Sequence, residues 1–233
     1  MSDSFLITCE HGGNRVPPRY RALFEPHRAL LATHRGYDPG ALAMARELAG
    51  ALQAPLVCSL TSRLLVDLNR SVGHPRLYSE ATRGLLPAER GEILARFHRP
   101  YRDRVEGLVA EAVARGRRVV HVSSHSFTPV LDGQVRNADI GLLYDPARPG
   151  EVRLCDRWRA ALGRRLPACK VRRNYPYAGT GDGLTTLLRR RFAPHAYLGI
   201  ELEINQAHVR AGTRHWRALR GAIVQALQEA LAG

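Results

Sequence analysis

The stretch from Arg118 to Pro129, R-V-V-H-V-S-S-H-S-F-T-P, constrains this chain more than any other. It opens as a buried strand, because Val119, Val120 and Val122 are β-branched and a long amphipathic pattern precedes them. It then turns polar, with Ser123, Ser124, His125 and Ser126 in a row before Pro129 closes it. In an open α/β sheet the ligand crevice lies outside the carboxyl ends of the strands, so a polar cluster there marks a candidate site. Taken alone, the segment reads equally well as a strand entering a hydroxyl-rich turn, with His125 hydrogen-bonded and inert.

Other strand ends repeat the pattern. Phe5 to Cys9 is an apolar strand running into Glu10-His11-Gly12-Gly13-Asn14-Arg15, where the glycines allow a tight turn close to whatever His11 faces. Asp38-Pro39-Gly40 is expected to open a helix running to about Gly50, with Asp38 as its N-cap and Pro39 in its first position. His34, four residues earlier, lies on the approach to the same crevice. A strand is predicted over Leu56 to Leu60. After it, Asp67 and Asn69 fall on one face and Leu68 and Arg70 on the other if the Leu65 to Arg70 segment stays extended. Arg63, Asp67, Asn69 and Arg70 stand among leucines, where burial without partners is costly.

A long helical pattern runs from about Pro87 to Arg115, with an interruption expected near Pro100; His98, Tyr101 and Arg102 read as its polar face. Asp132-Gly133 marks a turn, Ile140 to Tyr144 a strand, and residues 151 to 166 a helix. The loop from Asn174 to Gly183 lacks the lysine and Ser/Thr ending of a phosphate cradle and reads as a binding loop. Leu184 to Arg191 is a short helix. Tyr197 to Ile204 is a strand with Glu201 and Glu203 on one face, and two carboxylates in a buried-type strand require a cation or arginine partner. A final amphipathic helix covers about Arg214 to Leu231. No repeat or linker divides the chain, so one domain over residues 1–233 is expected.

Composition narrows the partners. The net charge is +14, almost all of it arginine, since Lys170 is the sole lysine. Such a field favours an anionic substrate. The arginines are scattered and aromatic residues make up only 6%, which argues against a nucleic-acid partner, whose binding face would interleave cations with stacking rings. Cys9, Cys58, Cys155 and Cys169 are far apart, so neither a disulfide framework nor a cysteine-based zinc site is indicated, and Cys9 and Cys58 read as buried strand thiols. With no leader-like or membrane-length apolar run, a soluble cytoplasmic protein is the expectation.

Histidines and carboxylates at separate strand ends, without a cysteine pair, are the pattern of a catalytic divalent-metal site. The motifs C-E-H-G-G-N-R-V-P, T-H-R-G-Y-D-P-G-A, S-R-L-L-V-D-L-N-R, S-S-H-S-F-T-P, R-N-A-D-I-G-L-L-Y, N-Y-P-Y-A-G-T-G and G-I-E-L-E-I-N occur in this order. Together they resemble the N-formylglutamate amidohydrolase family, over about residues 5 to 208. More distantly, D-L-N-R with Arg63, S-H-S around His125 and the Glu203 segment are similar to the substrate-binding, metal-ligating and general-base segments of zinc carboxypeptidases and aspartoacylases. The resemblance implies a three-layer α/β/α sandwich, zinc-exopeptidase-like, over a mixed, mostly parallel sheet of eight strands. In one respect the chain departs from those enzymes. Their first two ligands come from H-x-x-E, whereas Asn14 stands three residues after His11.

On this basis His11, Asp38 and His125 are the expected ligands of Zn²⁺ or another divalent ion, with Glu10 and His34 as alternatives to Asp38. His121 belongs to the core or supports the site. Glu203 is the expected general base, favoured over Glu201 by the resemblance and by its place nearer the strand's carboxyl end. Arg63 and Arg70 would stabilise the oxyanion and bind carboxylate. Asn69, Arg136, Asn174 and Tyr177 would bind the rest of a small anionic N-acyl amino acid. A metal-dependent peptidase or cell-wall amidase uses the same chemistry on a larger substrate. A serine hydrolase is disfavoured by the lack of a G-x-S-x-G elbow.

Overall fold

Strands with an apolar residue at every second position form the centre of the molecule. The computed structural model describes residues 2–233. Its strands are β1 (Asp3–Cys9), β2 (Leu56–Cys58), β3 (Arg118–Phe127), β4 (Val130–Leu131), β5 (Gln134–Val135), β6 (Ile140–Leu143), β7 (Val171–Arg173) and β8 (Tyr197–Asn205). Six of them make one sheet in the order β2-β1-β3-β8-β6-β7. All neighbours run parallel except β6 and β8, which are antiparallel. The count is therefore six, not the eight implied by the resemblance. Asp132 and Gly133, at φ 50° and 77°, close a tight turn that pairs β4 with β5 in a separate hairpin.

Helices cover both faces, giving an α/β/α sandwich. On one side Ala41–Leu52, Pro149–Arg165 and Thr213–Ala232 pack over Ile7, Val120, Val122, Ile200 and Leu202. On the other, Pro87–Ile93, Arg99–Ala114 and Leu184–Arg191 pack over Leu6, Val119 and Tyr197. Near Pro100 the expected interruption takes the form of a π-helical stretch, Leu94–His98, as a proline without an N–H allows. The polar face expected there is inward instead: His98, Tyr101 and Arg102 are buried, and the first and last of these donate to the Arg70 carbonyl at 2.8 and 2.9 Å.

Three further expectations change. The strand at Leu56 stops at Cys58, whose side chain is exposed. The Leu65 to Arg70 segment is not extended but turned, with Leu65 N–H donating to Ser62 and Arg70 N–H to Asp67. The third concerns the helix after Asp38, which begins at Ala41 and is capped by Gly40 at φ 83° without any side-chain cap. Gly40 carries the left-handed conformation, and this releases the Asp38 carboxylate for other contacts.

Two buried arginines tie the loops to the sheet. Arg189 Nε donates to Glu151 at 3.0 Å, and its terminal nitrogens donate to the carbonyls of Gly179 (2.5 Å) and Gly199 (2.6 Å). Glu151 also accepts the N–H groups of Gly199 and Asp145, while Arg148 donates to the Tyr197, Arg189 and Phe192 carbonyls. Glu151 is fully buried, so removing it strands a guanidinium in the interior. Glu151→Ala is expected to lower stability by about 3–5 kcal/mol, read as a fall in the urea midpoint without loss of slope.

Candidate functional site

The parallel register aligns one face of three adjacent strands. Leu6 lies opposite His121 and Thr8 opposite Ser123, while Ser123 pairs with Glu201 and His125 with Glu203. Because side chains alternate, Glu10, Ser123, His125, Glu201 and Glu203 share this face near the carboxyl ends of β1, β3 and β8. Deeper on the same face, His121 is fully buried between Thr8 Oγ1 (2.8 Å) and the Tyr197 hydroxyl (2.7 Å). Burial lowers its pKa to about 4, so the ring is neutral and belongs to the core.

Above it, His11, Asp38 and His125 each place a ligand atom within 4.8 Å of the others. Asp38 Oδ2 is 3.4 Å from His11 Nδ1 and 2.9 Å from His125 Nδ1. The opposite nitrogen of each ring faces a second buried carboxylate. His11 Nε2 donates to Asp67 Oδ1 at 2.7 Å, and His125 Nε2 lies 3.1 Å from Glu10 Oε2 and 2.9 Å from Ser123 Oγ. Burial opposes ionisation of Asp67, but Arg63 and His11 outweigh it and hold the carboxyl well below the usual range. Glu10 is likewise fully buried yet held low by His125 and the Ser123 hydroxyl. Ionised carboxylates only accept, so each Nε2 carries its hydrogen toward Asp67 or Glu10; a protonated Nδ1 donates to Asp38, and a bound cation in place of that proton would meet the Nδ1 lone pair.

Three side chains able to ligate a metal thus meet at one point, and burial alone would discharge His125. Its neighbours Asp38 and Glu10 instead hold its pKa well above the ordinary value, while Asp38 itself is drawn low against burial by His11, His125 and Arg63. The centre demands positive charge. Two imidazoles and a carboxylate, each oriented by a second group, are a donor set that fits a zinc-type divalent ion.

Glu203 stands apart. It is buried, and its Oε2 has no hydrogen-bond partner among the described residues. Burial raises its pKa to about 8, with Asp38 and Glu201 adding and His125 and Arg63 opposing. Its antiparallel neighbour is Gly141, where a Cβ would lie 2.0 Å from the Tyr175 carbonyl oxygen, so only glycine lets the Asn174 loop close over this end of β8. Glu201, one pleat deeper, accepts from the Thr185 hydroxyl at 2.6 Å in place of the arginine partner expected for it.

A cavity of about 380 Å³ opens beside these groups, lined by His11, Asp38, His125, Glu201 and Glu203 and by Arg63, Asn69, Arg70, Arg76 and Tyr177. Arg63 donates to Asp67 (2.7 Å) and Asp38 (3.3 Å), and Arg70 to the Asp182 carbonyl at 2.7 Å. Asn69 Oδ1 accepts from Leu184 N–H at 2.7 Å. Arg136 reaches the site indirectly, donating to the Tyr177 hydroxyl at 2.9 Å. Asn174 is not among the lining residues, because its side-chain oxygen accepts the N–H groups of Tyr144 and Gly179 and holds the loop. Of the alternatives to Asp38, Glu10 lies behind His125, and His34 is half-buried near Arg136 and Arg63, outside the triad. Asp67, Arg76 and the role of Glu10 were not anticipated. The costly-to-bury aspartate among leucines was the available signal for Asp67.

A family model for N-formylglutamate amidohydrolase matches residues 3–210. No curated protein matches the chain. Among solved structures, gene product Atu2144 of Agrobacterium tumefaciens is 34% identical with a TM-score of 0.84, covering 98% of this chain and 90% of that one. An N-formylglutamate amidohydrolase from Ralstonia eutropha JMP134 superposes with a TM-score of 0.74 at 20% identity, covering 99% and 94% of the two chains. The CwlD amidase of Clostridioides difficile, solved with the GerS lipoprotein, shares the fold at a TM-score of 0.50 and 11% identity, with 98% of each chain covered.

The raised Glu203 carboxyl has a pH signature. Folded, it titrates at about 8 against an ordinary value of 4.5, so between these limits the folded state binds the extra proton. Its contribution to stability is therefore present below about pH 4.5 and is lost as pH rises toward 8. In chelator-treated protein, Glu203→Gln is expected to flatten this part of the urea-midpoint profile; an unchanged slope would place the titration elsewhere.

Proposed function

The chain belongs to the N-formylglutamate amidohydrolase family, and we propose that it hydrolyses the amide bond of a small anionic N-acyl amino acid, N-formylglutamate being the leading candidate, with a zinc-type ion held by His11, Asp38 and His125. One observation carries this reading. Both histidines direct Nε2–H to buried carboxylates and present Nδ1 to the same Asp38 oxygen, an arrangement that draws positive charge to one point, whether as a proton or as a bound cation.

A divalent ion there supplies Lewis acidity, polarising a carbonyl and making water acidic enough to lose a proton near neutral pH. Glu203 Oε2, buried and unpaired, takes the proton from the attacking water and passes it to the departing nitrogen. Burial makes this carboxyl more basic than an exposed one, which favours its taking the proton and then returning it as an acid. Asp67 and Glu10 keep the imidazoles oriented through Nε2. Arg63, fixed by Asp67 and Asp38, stabilises negative charge developing on the carbonyl oxygen. Arg70 and Arg76 on the cavity wall bind the carboxylates of the substrate, with Asn69 and Tyr177 completing the wall and Arg136 bracing Tyr177. The cavity volume of about 380 Å³ is at the small end for ligand sites, which suits one amino acid better than a peptide strand. No helix among the described residues is long and apolar enough to cross a membrane.

The reading is tested by assaying zinc-loaded protein for formate release from N-formyl-L-glutamate and from an N-formylated neutral amino acid, and for release of the free alanine amine from a muramoyl-L-alanine substrate. Turnover is expected for the first and little for the others. Cleavage of the muramoyl substrate alone would assign the protein to the cell-wall amidases.

Variants separate the roles. Alanine at His11, Asp38 or His125 is expected to remove most bound metal by elemental analysis, and Glu10→Gln or Asp67→Asn to weaken metal binding by roughly 10–100-fold. Glu203→Gln should retain metal and fold but lose about 10²-fold or more in kcat, while Glu201→Gln should affect stability or KM. A dead Glu201 variant beside an active Glu203 variant would reverse the assignment. Arg63→Lys should lower kcat/KM, because a point charge cannot keep both carboxylates in the planar fork.

A further inference from the structure

A second cluster of metal-ligating side chains stands where β7 begins and β8 ends. Asp139, Cys169 and His208 each offer a ligand atom within 4.8 Å of the other two. They come from three segments that the backbone stitches together. Asp139 precedes β6 and donates its N–H to the Lys170 carbonyl at 3.0 Å, which brings Cys169 alongside. His208 lies on the helix Gln206–Arg210, which the Asn205 side chain caps, and Asn205 N–H donates to the Asp139 carbonyl at 2.9 Å.

Each donor is oriented by a further contact. Asp139 Oδ2 accepts Lys170 N–H at 2.7 Å, leaving Oδ1 to face His208 Nε2 at 2.8 Å. The other nitrogen of His208, Nδ1, meets His215 Nε2 at 2.9 Å, with the two rings stacked at centroids 5.2 Å apart. A histidine engaged on both sides, one nitrogen toward a carboxylate and a thiol and the other held by an outer partner, matches the way ligating imidazoles are oriented. The side chains of Asp139 and His208 are 29% and 14% exposed, so an ion can reach them from solvent.

We propose that Asp139, Cys169 and His208 form a second binding site for a zinc-class divalent cation, positioned by His215, built from residues distinct from the His11–Asp38–His125 centre. Thiolate, imidazole and carboxylate together select a borderline ion over magnesium or calcium, and three protein ligands leave one position to water. As the ion binds, the Cys169 thiol releases its proton to solvent, and the Asp139–His208 contact is replaced by two bonds to the cation. Such a clamp joins the starts of β6 and β7 to the end of β8.

Cobalt(II) titrated into metal-depleted protein distinguishes this site, because thiolate ligation gives a sulfur-to-cobalt charge-transfer absorption in the near ultraviolet and the His11 centre contains no sulfur ligand. The band is expected in the wild type and in His125→Ala, and lost in Cys169→Ser. His208→Ala should weaken the cobalt affinity read from that band by about tenfold or more, with far-ultraviolet circular dichroism unchanged in both variants. Absence of the band from wild type at saturating cobalt, or its persistence in Cys169→Ser, would overturn the proposal. Should Cys169→Ser fail to fold, an unaltered band and affinity in His208→Ala would do the same.

Discussion

The site depends on strand register. Thr8, Ser123 and Glu201 stand side by side across β1, β3 and β8, and His125 stands beside Glu203 one pleat further on. A slip of one residue in any of these strands would send its polar side chains into the apolar layer beneath Ala41–Leu52 and Thr213–Ala232. That layer, built on Ile7, Val120, Val122, Ile200 and Leu202, holds the register from the opposite face. The polar face is therefore kept in place by the hydrophobic burial of the other face.

On the polar face the cost is electrostatic. Glu10, Asp38, Asp67, His11, His125 and Glu203 are all at most 5% exposed. Isolated charges there would cost several kcal/mol each. Mutual pairing offsets much of this cost, and the pairs divide the carboxylates into two kinds. Glu10 and Asp67 touch cationic or donor groups and stay ionised, whereas Glu203, with one oxygen unpaired, is pushed up to about 8. Chemically equal side chains take different roles because their surroundings differ.

Outside the centre, the chain uses its arginines in different ways. Arg148 and Arg189 are buried and bound to backbone carbonyls, where a planar fork satisfies several acceptors at once. Arg63 and Arg70 hold the wall of the crevice, and others, such as Arg115 and Arg164, form exposed pairs of little energetic weight. The charge of +14 is thus a field favouring anions, produced by arginines with unrelated local tasks.

The sequence by itself determined the elements and the residue types at their ends. Period-two leucines and isoleucines specify β8 within one residue, β3 opens at its valines and runs on through the polar cluster to Phe127, and the Leu184–Arg191 helix matches its expected span. The alternation also determined that Glu201 and Glu203 share a face, and histidine at two strand ends pointed to metal chemistry before any distance was known. Tertiary structure decided the partners. Asp67 meets His11 across 56 residues and Ser123 meets Glu10 across 113, contacts that no local pattern encodes. Asp38 had the chemistry of a helix cap, and only the left-handed Gly40 two residues later turned its carboxylate toward the histidines. Likewise, Asn174 resembled a substrate-binding residue but supports its own loop, because a side-chain amide satisfies whichever backbone groups the fold brings within reach. Periodicity is a local property and was legible; pairing of charges depends on long-range packing, and only the folded chain supplies it.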